Sequence, residues 1–121
     1  MNNLKQEHKV RVEENDLEII GHSDGGYMTY HYQGKPFSGY MVIDYHENGD
    51  VMYEEEYREG EHMGWDNVYY ENGQIERETL MYGATGLEFY KYDEEGNLLI
   101  GGKQVPDDIY DKIVAQNKLL D

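Results

Sequence analysis

Histidine, glutamate and aspartate are the residues of this chain that could do chemistry, and their spacing argues against most of it. The five histidines, His8, His22, His31, His46 and His62, are scattered, and none forms the His-Glu-x-x-His pair that holds zinc on a helix. His46 follows closely on Asp44, which invites an acid–base reading, but nothing nearby supplies a nucleophile or an oxyanion site. Glu59, Glu61 and His62 could touch a cation, but a solvated hairpin end is the expected reading. The run Glu54-Glu55-Glu56, with Glu59 and Glu61, lacks the Asp-x-Asp-x-Asp-Gly loop of a calcium site, and successive carboxylates on a strand point to opposite faces. There is no cysteine, so no thiolate nucleophile and no Cys-based zinc site. No glycine-rich phosphate loop precedes a helix. The expectation is a protein that is not an enzyme, with no catalytic residue, no metal and no cofactor.

What remains is charge. The chain has 121 residues with 10 Lys+Arg against 26 Asp+Glu, a formal charge of −16. Nucleic acids and anionic membranes need clustered Lys/Arg, so both are disfavoured as partners, whereas a basic protein suits the balance. Acidic, weakly hydrophobic chains can be disordered. Here 13 Tyr, 2 Phe and Trp65, with 14 Gly, point instead to many short strands and turns. The length bounds the chain to one domain, residues 1–121. No apolar leader or membrane-length stretch is visible, which sets a cytoplasmic expectation.

Self-comparison supplies the fold. Tyr45-His46-Glu47-Asn48-Gly49 recurs as Tyr69-Tyr70-Glu71-Asn72-Gly73 and as Tyr92-Asp93-Glu94-Glu95-Gly96, with the final glycines 24 and 23 residues apart. Gly39, Gly64 and Gly86 precede these glycines by 10, 9 and 10 residues, and Val51, Ile75 and Leu98 follow each by two. Gly60 and Gly83 then close the outgoing strands. Glu-Asn-Gly between alternating apolar residues is hairpin-turn chemistry, because Gly takes the left-handed conformation without strain.

A type I turn with a glycine bulge pairs Tyr45 with Val51 and Ile43 with Tyr53. It places Met41, Ile43, Tyr45, Val51, Tyr53 and Tyr57 on one face, continued by Trp65, Tyr69, Ile75, Tyr90, Tyr92 and Leu98. The other face then carries Asp44, His46, Glu54, Glu56, Asp66, Glu76 and Glu78, mixed with Val42, Val68, Tyr70 and Phe89. Tyr40, Tyr70 and Tyr82 fall on this acidic side as candidate anchors. Like charges this close repel, so the face is either solvated or reserved for a cation-rich partner.

Before the repeats, in residues 1–33, strands are expected around Val10 and Val12, at 17–20 and at 27–32, with a loop at 21–26. After the hairpins of 34–101, Asp107 or Asp108 can cap a helix within 106–120 that turns Ile109, Ile113 and Leu120 inward. The expectation is mainly β: a single curved antiparallel sheet of seven to eight strands built from MORN-like hairpins, capped by a C-terminal α-helix.

Gly34-Lys35-Pro36-Phe37-Ser38-Gly39, followed by tandem Tyr-x-Glu-Asn-Gly hairpins, resembles the MORN (membrane occupation and recognition nexus) repeat variant of bacterial antitoxin proteins. The resemblance covers roughly residues 27 to 100. The third copy departs, with Glu95 in place of Asn. The second lacks one residue between Gly73 and Gly83, which predicts a bulged or shorter strand. The resemblance implies an immunity protein for a secreted polymorphic toxin, a nuclease and preferably an RNase, whose basic groove the acidic face would occlude in a 1:1 complex. Asp44, Glu54, Glu56, Asp66, Tyr70, Glu76, Glu78 and Phe89 are the expected toxin-binding residues. The alternative that the resemblance carries is a MORN-type scaffold or lipid-associated module. The helix opposes it, with Lys112 and Lys118 against Asp107, Asp108 and Asp111.

Overall fold

A computed structural model describes residues 10–22 and 28–120. His8, most of the expected 21–26 loop and the Tyr27 start of the third strand lie outside the described residues. The elements are β1 (Arg11–Glu13), a single 3-10 turn at 14–16, β2 (Glu18–His22), β3 (Met28–Tyr32), β4 (Lys35–Pro36), β5 (Gly39–Tyr45), β6 (Val51–Arg58), β7 (Glu61–Tyr69), β8 (Ile75–Tyr82), β9 (Thr85–Tyr92), β10 (Leu98–Lys103) and α1 (Asp107–Asn117).

The protein is mainly β, with one seven-stranded sheet in the order β1-β5-β6-β7-β8-β9-β10. Two expectations need correcting. The N-terminal strands do not all join this sheet: β2, β3 and β4 form a separate three-stranded one. The large sheet is also not wholly antiparallel, because β1 pairs with β5 in parallel. The chain leaves β1, builds the small sheet, and returns alongside it in the same direction.

The hairpin turns form as their chemistry requires. Gly49, Gly73 and Gly96 have φ of +92°, +88° and +90°, the left-handed region that a side chain would disfavour. In the first turn Gly49 N–H donates to His46 O (2.9 Å) and His46 N–H to Asp50 O (2.8 Å); the second and third turns repeat both bonds. Asn48 and Asn72 each accept from the backbone N–H two residues on, at 2.9 Å. In the third turn, where Glu95 stands instead of Asn, the Asp93 carboxylate accepts from the N–H groups of Glu95 and Asn97 at 3.0 and 2.9 Å. Those bonds, the Asn97 one foremost, lower the Asp93 pKa. β6 and β8 both have 8 residues, and the turns that follow them, 59–60 and 83–84, both have two. The one-residue difference lies only in where the glycine sits: Gly60 is second in its turn and Gly83 first. The expected shortening of β8 is absent.

The register departs from the expected one after the first turn pair. Tyr45 faces Val51 as expected; an irregularity then sets Asp44, not Ile43, opposite Tyr53, and the expected register resumes with Val42 opposite Glu54. In the next hairpin Tyr57 faces His62 while Glu54 faces Asn67, so β7 carries two more residues than β6 over that stretch. Directly opposed residues share a face. One row therefore runs Val42–Glu54–Asn67–Glu78–Tyr90 across β5 to β9, and the opposite face carries Tyr53–Val68–Arg77–Lys91.

Each face is partly covered. On the first, Trp65, Leu80 and Leu87 pack under Tyr110 and Leu119. Those two residues, rather than Ile109 and Leu120 (45% and 51% exposed), hold the helix down, with Ile113 packed beside them. The helix N-cap is Pro106, without a side-chain bond. Asp107 and Asp108 occupy the first turn instead, where negative charge suits the helix dipole. At the other end Arg58 donates to Lys118 O and Leu119 O at 2.8 and 2.9 Å, tying the last carbonyls to the sheet. On the second face, Val12, Phe37, Met41 and Tyr57 pack with Tyr30 and Tyr32 of the small sheet. Tyr110 also donates to the buried Glu88. Tyr110→Phe keeps the packing and removes that donor, and an unfolding titration should show a loss of about 1–2 kcal/mol.

Candidate functional site

The eight expected toxin-binding residues do not form one surface. Glu54, Glu56 and Glu78 are each 0% exposed and lie on the aromatic face, among Trp65, Tyr69 and Tyr92. Asp66 is buried on the opposite face, facing Thr79, which in turn faces the half-buried Phe89. Asp44, Tyr70 and Glu76 lie beside the hairpin turns. The segregation of acidic from aromatic residues therefore fails. The Glu59-Gly60 turn pairs Arg58 with Glu61 and Tyr57 with His62, which puts Trp65 and Tyr69 on the face of Glu54. The two extra residues in β7 leave that alternation unchanged.

The buried carboxylates are held by donors, as a charge removed from water must be. Glu54 accepts from Arg11 Nε (2.6 Å) and Nη2 (3.2 Å), Asn67 Nδ2 (3.0 Å) and Tyr69 OH (2.6 Å). Its hydrogen bond raises the Arg11 pKa, against the opposing effect of burial. Burial, reinforced by Glu54, raises that of Tyr69. Glu56 accepts from the Trp65 backbone N–H (2.8 Å) and from Arg58 Nε (3.1 Å). Glu78 accepts from Tyr92 OH at 2.7 Å. These groups are structural, and no partner can reach them without unfolding the sheet.

The exposed charge collects elsewhere. Asn48 Nδ2 donates to Glu71 O (3.3 Å) and Asn72 Nδ2 to Glu94 O (2.9 Å), so the three turns stand side by side. Segments 44–51, 69–76 and 92–98 together carry Asp44, Glu47, Asp50, Glu71, Glu76, Asp93, Glu94 and Glu95, and no Lys or Arg. Asp44, Glu47, Asp50, Glu71, Glu94 and Glu95 are exposed, and Glu76 and Asp93 are half-buried. Tyr70 sits in the middle of this row, its OH bonded to Tyr92 O at 2.7 Å. Desolvation and the charges of Glu76, Glu94, Asp93 and Glu95 all raise its pKa. Asp44 and His46 form no dyad: Asp44 accepts from the Tyr45 N–H, and His46 Nε2 contacts Tyr69 O at 2.8 Å.

A second cluster lies on the face opposite the buried glutamates, where the sequence favours a solvated hairpin end over a cation contact. His62 Nε2 is 2.9 and 3.0 Å from the two Asp66 oxygens, and its ring stacks on Tyr57 with centroids 5.3 Å apart. Glu55 completes the group and accepts from Tyr53 OH (2.7 Å) and Tyr57 OH (3.3 Å). Burial raises the Asp66 carboxyl to about 6, although the bond to His62 pulls the other way. Burial works against a charged His62, but the hydrogen bond and charge of Asp66, with the charge of Glu55, outweigh it and raise the pKa. Beside the cluster a depression of about 450 Å³ is lined by Met52, Tyr53, Asp66, Val68, Arg77, Thr79 and Met81. The alternation of strand faces puts His62 and Asp66 on one side, but four residues of a regular strand span about 13 Å. The irregularity of β7 that brings them and Glu55 together leaves no mark in the sequence.

Comparison with protein-family models, with curated proteins and with solved structures gave no match. No helix of the described residues is long and apolar enough to cross a membrane.

Proposed function

We propose that this chain is an immunity protein of the MORN-repeat-variant antitoxin type. In this reading it binds a basic toxin domain, a nuclease and preferentially an RNase, and blocks the groove that would otherwise take nucleic acid. The supporting observation is the row of hairpin turns, where eight carboxylates stand with no Lys or Arg among them. Carboxylates spaced along adjacent turns imitate a phosphate backbone, and their field speeds capture of a cationic groove. Tyr70 at the centre of the row provides aromatic contact of the kind that anchors interfaces.

This relocates the binding surface from the sheet face to the turns. Asp44, Tyr70 and Glu76 keep their proposed role, and Glu47, Glu71, Glu94 and Glu95 join them. Glu54, Glu56 and Glu78 leave the binding set because they are buried. Phe89 and Asp66 lie away from the turns. The helix packs its Tyr110 and Leu119 on the sheet and exposes Asp107, Asp108 and Asp111, an arrangement poorly suited to an anionic bilayer.

The test is protection in cells that express the C-terminal domain of a secreted protein encoded immediately upstream. Wild type should protect, and Glu47→Lys/Glu71→Lys/Glu94→Lys should lose protection at equal expression. Undiminished protection by the triple variant rules out the turn row.

A further inference from the structure

Glu55, His62 and Asp66 come from β6 and β7 and present one carboxylate oxygen, one imidazole nitrogen and another carboxylate oxygen, all within 4.8 Å of one another. Ligands of one Zn²⁺ ion sit about 2.0–2.2 Å from it, so they lie roughly 3–4 Å apart. Small rotations of the side chains close the difference. We propose that Glu55, His62 and Asp66 form a binding site for a divalent first-row transition ion, Zn²⁺ in preference to Mg²⁺ or Ca²⁺.

Four features carry the assignment. The donor set mixes one imidazole with two carboxylates, which suits Zn²⁺ and its neighbours, whereas Mg²⁺ and Ca²⁺ favour all-oxygen sites. Two carboxylates and a neutral imidazole balance a divalent charge at a partly buried place. The site also has the outer support that metal ligands need: Tyr53 and Tyr57 donate to Glu55, and Tyr57 stacks on the His62 ring. Finally, the depression bordered by Asp66 and Tyr53 gives an ion and its remaining water ligands room to enter. His62 Nε2, now directed at Asp66, offers its lone pair once deprotonated. Binding therefore inserts the ion into an existing His–Asp contact and requires no new fold.

The experiment uses the full chain without an affinity tag and CoCl₂ as the probe, followed by its visible d–d absorption, with ZnCl₂ as competitor. One Co²⁺ per chain is expected, displaced by Zn²⁺. His62→Gln and Asp66→Asn should each weaken it about a hundredfold, and Tyr53→Phe about tenfold through loss of a supporting bond. The triple turn-row variant should bind as wild type does. No spectral change up to millimolar Co²⁺, or binding unaltered in His62→Gln, overturns the proposal. Loss of binding in the turn-row variant would do the same, because it puts the ion on exposed carboxylates. In case a ligand variant fails to fold, NMR of wild type with ZnCl₂ gives an independent answer. The His62 ring signal should shift alone, and a shift confined to His8, His22, His31 or His46 contradicts the site.

Discussion

Replacing Gly64 with alanine is expected to destabilise the fold by about 3–5 kcal/mol, a drop of roughly 10–20 °C in melting temperature. Gly64 has φ of +119°, and a Cβ there would lie 2.2 Å from Glu56 Oε1 and 2.4 Å from its carboxyl carbon. An exposed glutamate would swing aside at little cost. Glu56 is 0% exposed and bonded to the Trp65 N–H and to Arg58. Moving it breaks those bonds inside the sheet and disturbs the Arg58 clamp on the helix end. Gly49 is the control, with a similar positive φ of +92° and nothing within 4 Å of where an alanine methyl would stand. Gly49→Ala should cost only about 1 kcal/mol of backbone strain. Equal melting temperatures for the two variants would show that Glu56 does not occupy the space above Gly64.

Glu54→Ala is expected to cost about 3–4 kcal/mol, measured by urea unfolding. Its carboxylate takes four hydrogen bonds, from two Arg11 nitrogens, Asn67 and Tyr69. Removing it takes the acceptor from the buried Tyr69 hydroxyl, which keeps only the donation from Arg11 Nη2, and leaves a cavity. Arg11 softens the loss, because its side chain is 43% exposed and can turn to water. Arg11→Met should not be milder, because it leaves the 0%-exposed Glu54 carboxylate without its cation and two of its donors, and it is expected to cost about 3 kcal/mol. A Glu54→Ala variant within about 0.5 kcal/mol of wild type would return Glu54 to the exposed surface.

These two variants also mark where the sequence can be read and where it cannot. The turns were legible, since Asn-Gly at a fixed spacing names both the turn and its glycine, and Gly49, Gly73 and Gly96 adopt the expected conformation. The helix was legible in extent but not in orientation. Tyr110 buries its ring and directs its hydroxyl to Glu88, whereas aliphatic spacing alone pointed to Ile109 and Leu120. The faces of β5 and β6 were legible, with Val42 and Glu54 on one side and Met41 on the other. The faces of β7 and beyond were not: a strand's face inverts with one residue of slip, and the Glu59-Gly60 turn sets Tyr57 opposite His62, the reverse of the expected sharing of faces. Burial of Glu54 and Glu78 also runs against the usual exposure of glutamate. A signal did exist: each pairs with a tyrosine further along, Glu54 with Tyr69 and Glu78 with Tyr92, at separations of 15 and 14 residues.

The carboxylates divide into a buried structural set and an exposed turn row, and calorimetric titration tests that central division directly. The titrant is the basic toxin domain that the proposed function requires, and the partners are wild type, Glu54→Gln and Glu47→Lys/Glu71→Lys/Glu94→Lys. Glu54→Gln, though less stable, should bind within about twofold of wild type. The triple variant should melt like wild type and bind about a hundredfold or more weakly at low salt, the gap narrowing as salt rises. Wild-type affinity in the triple variant, with the loss in Glu54→Gln, would contradict the division.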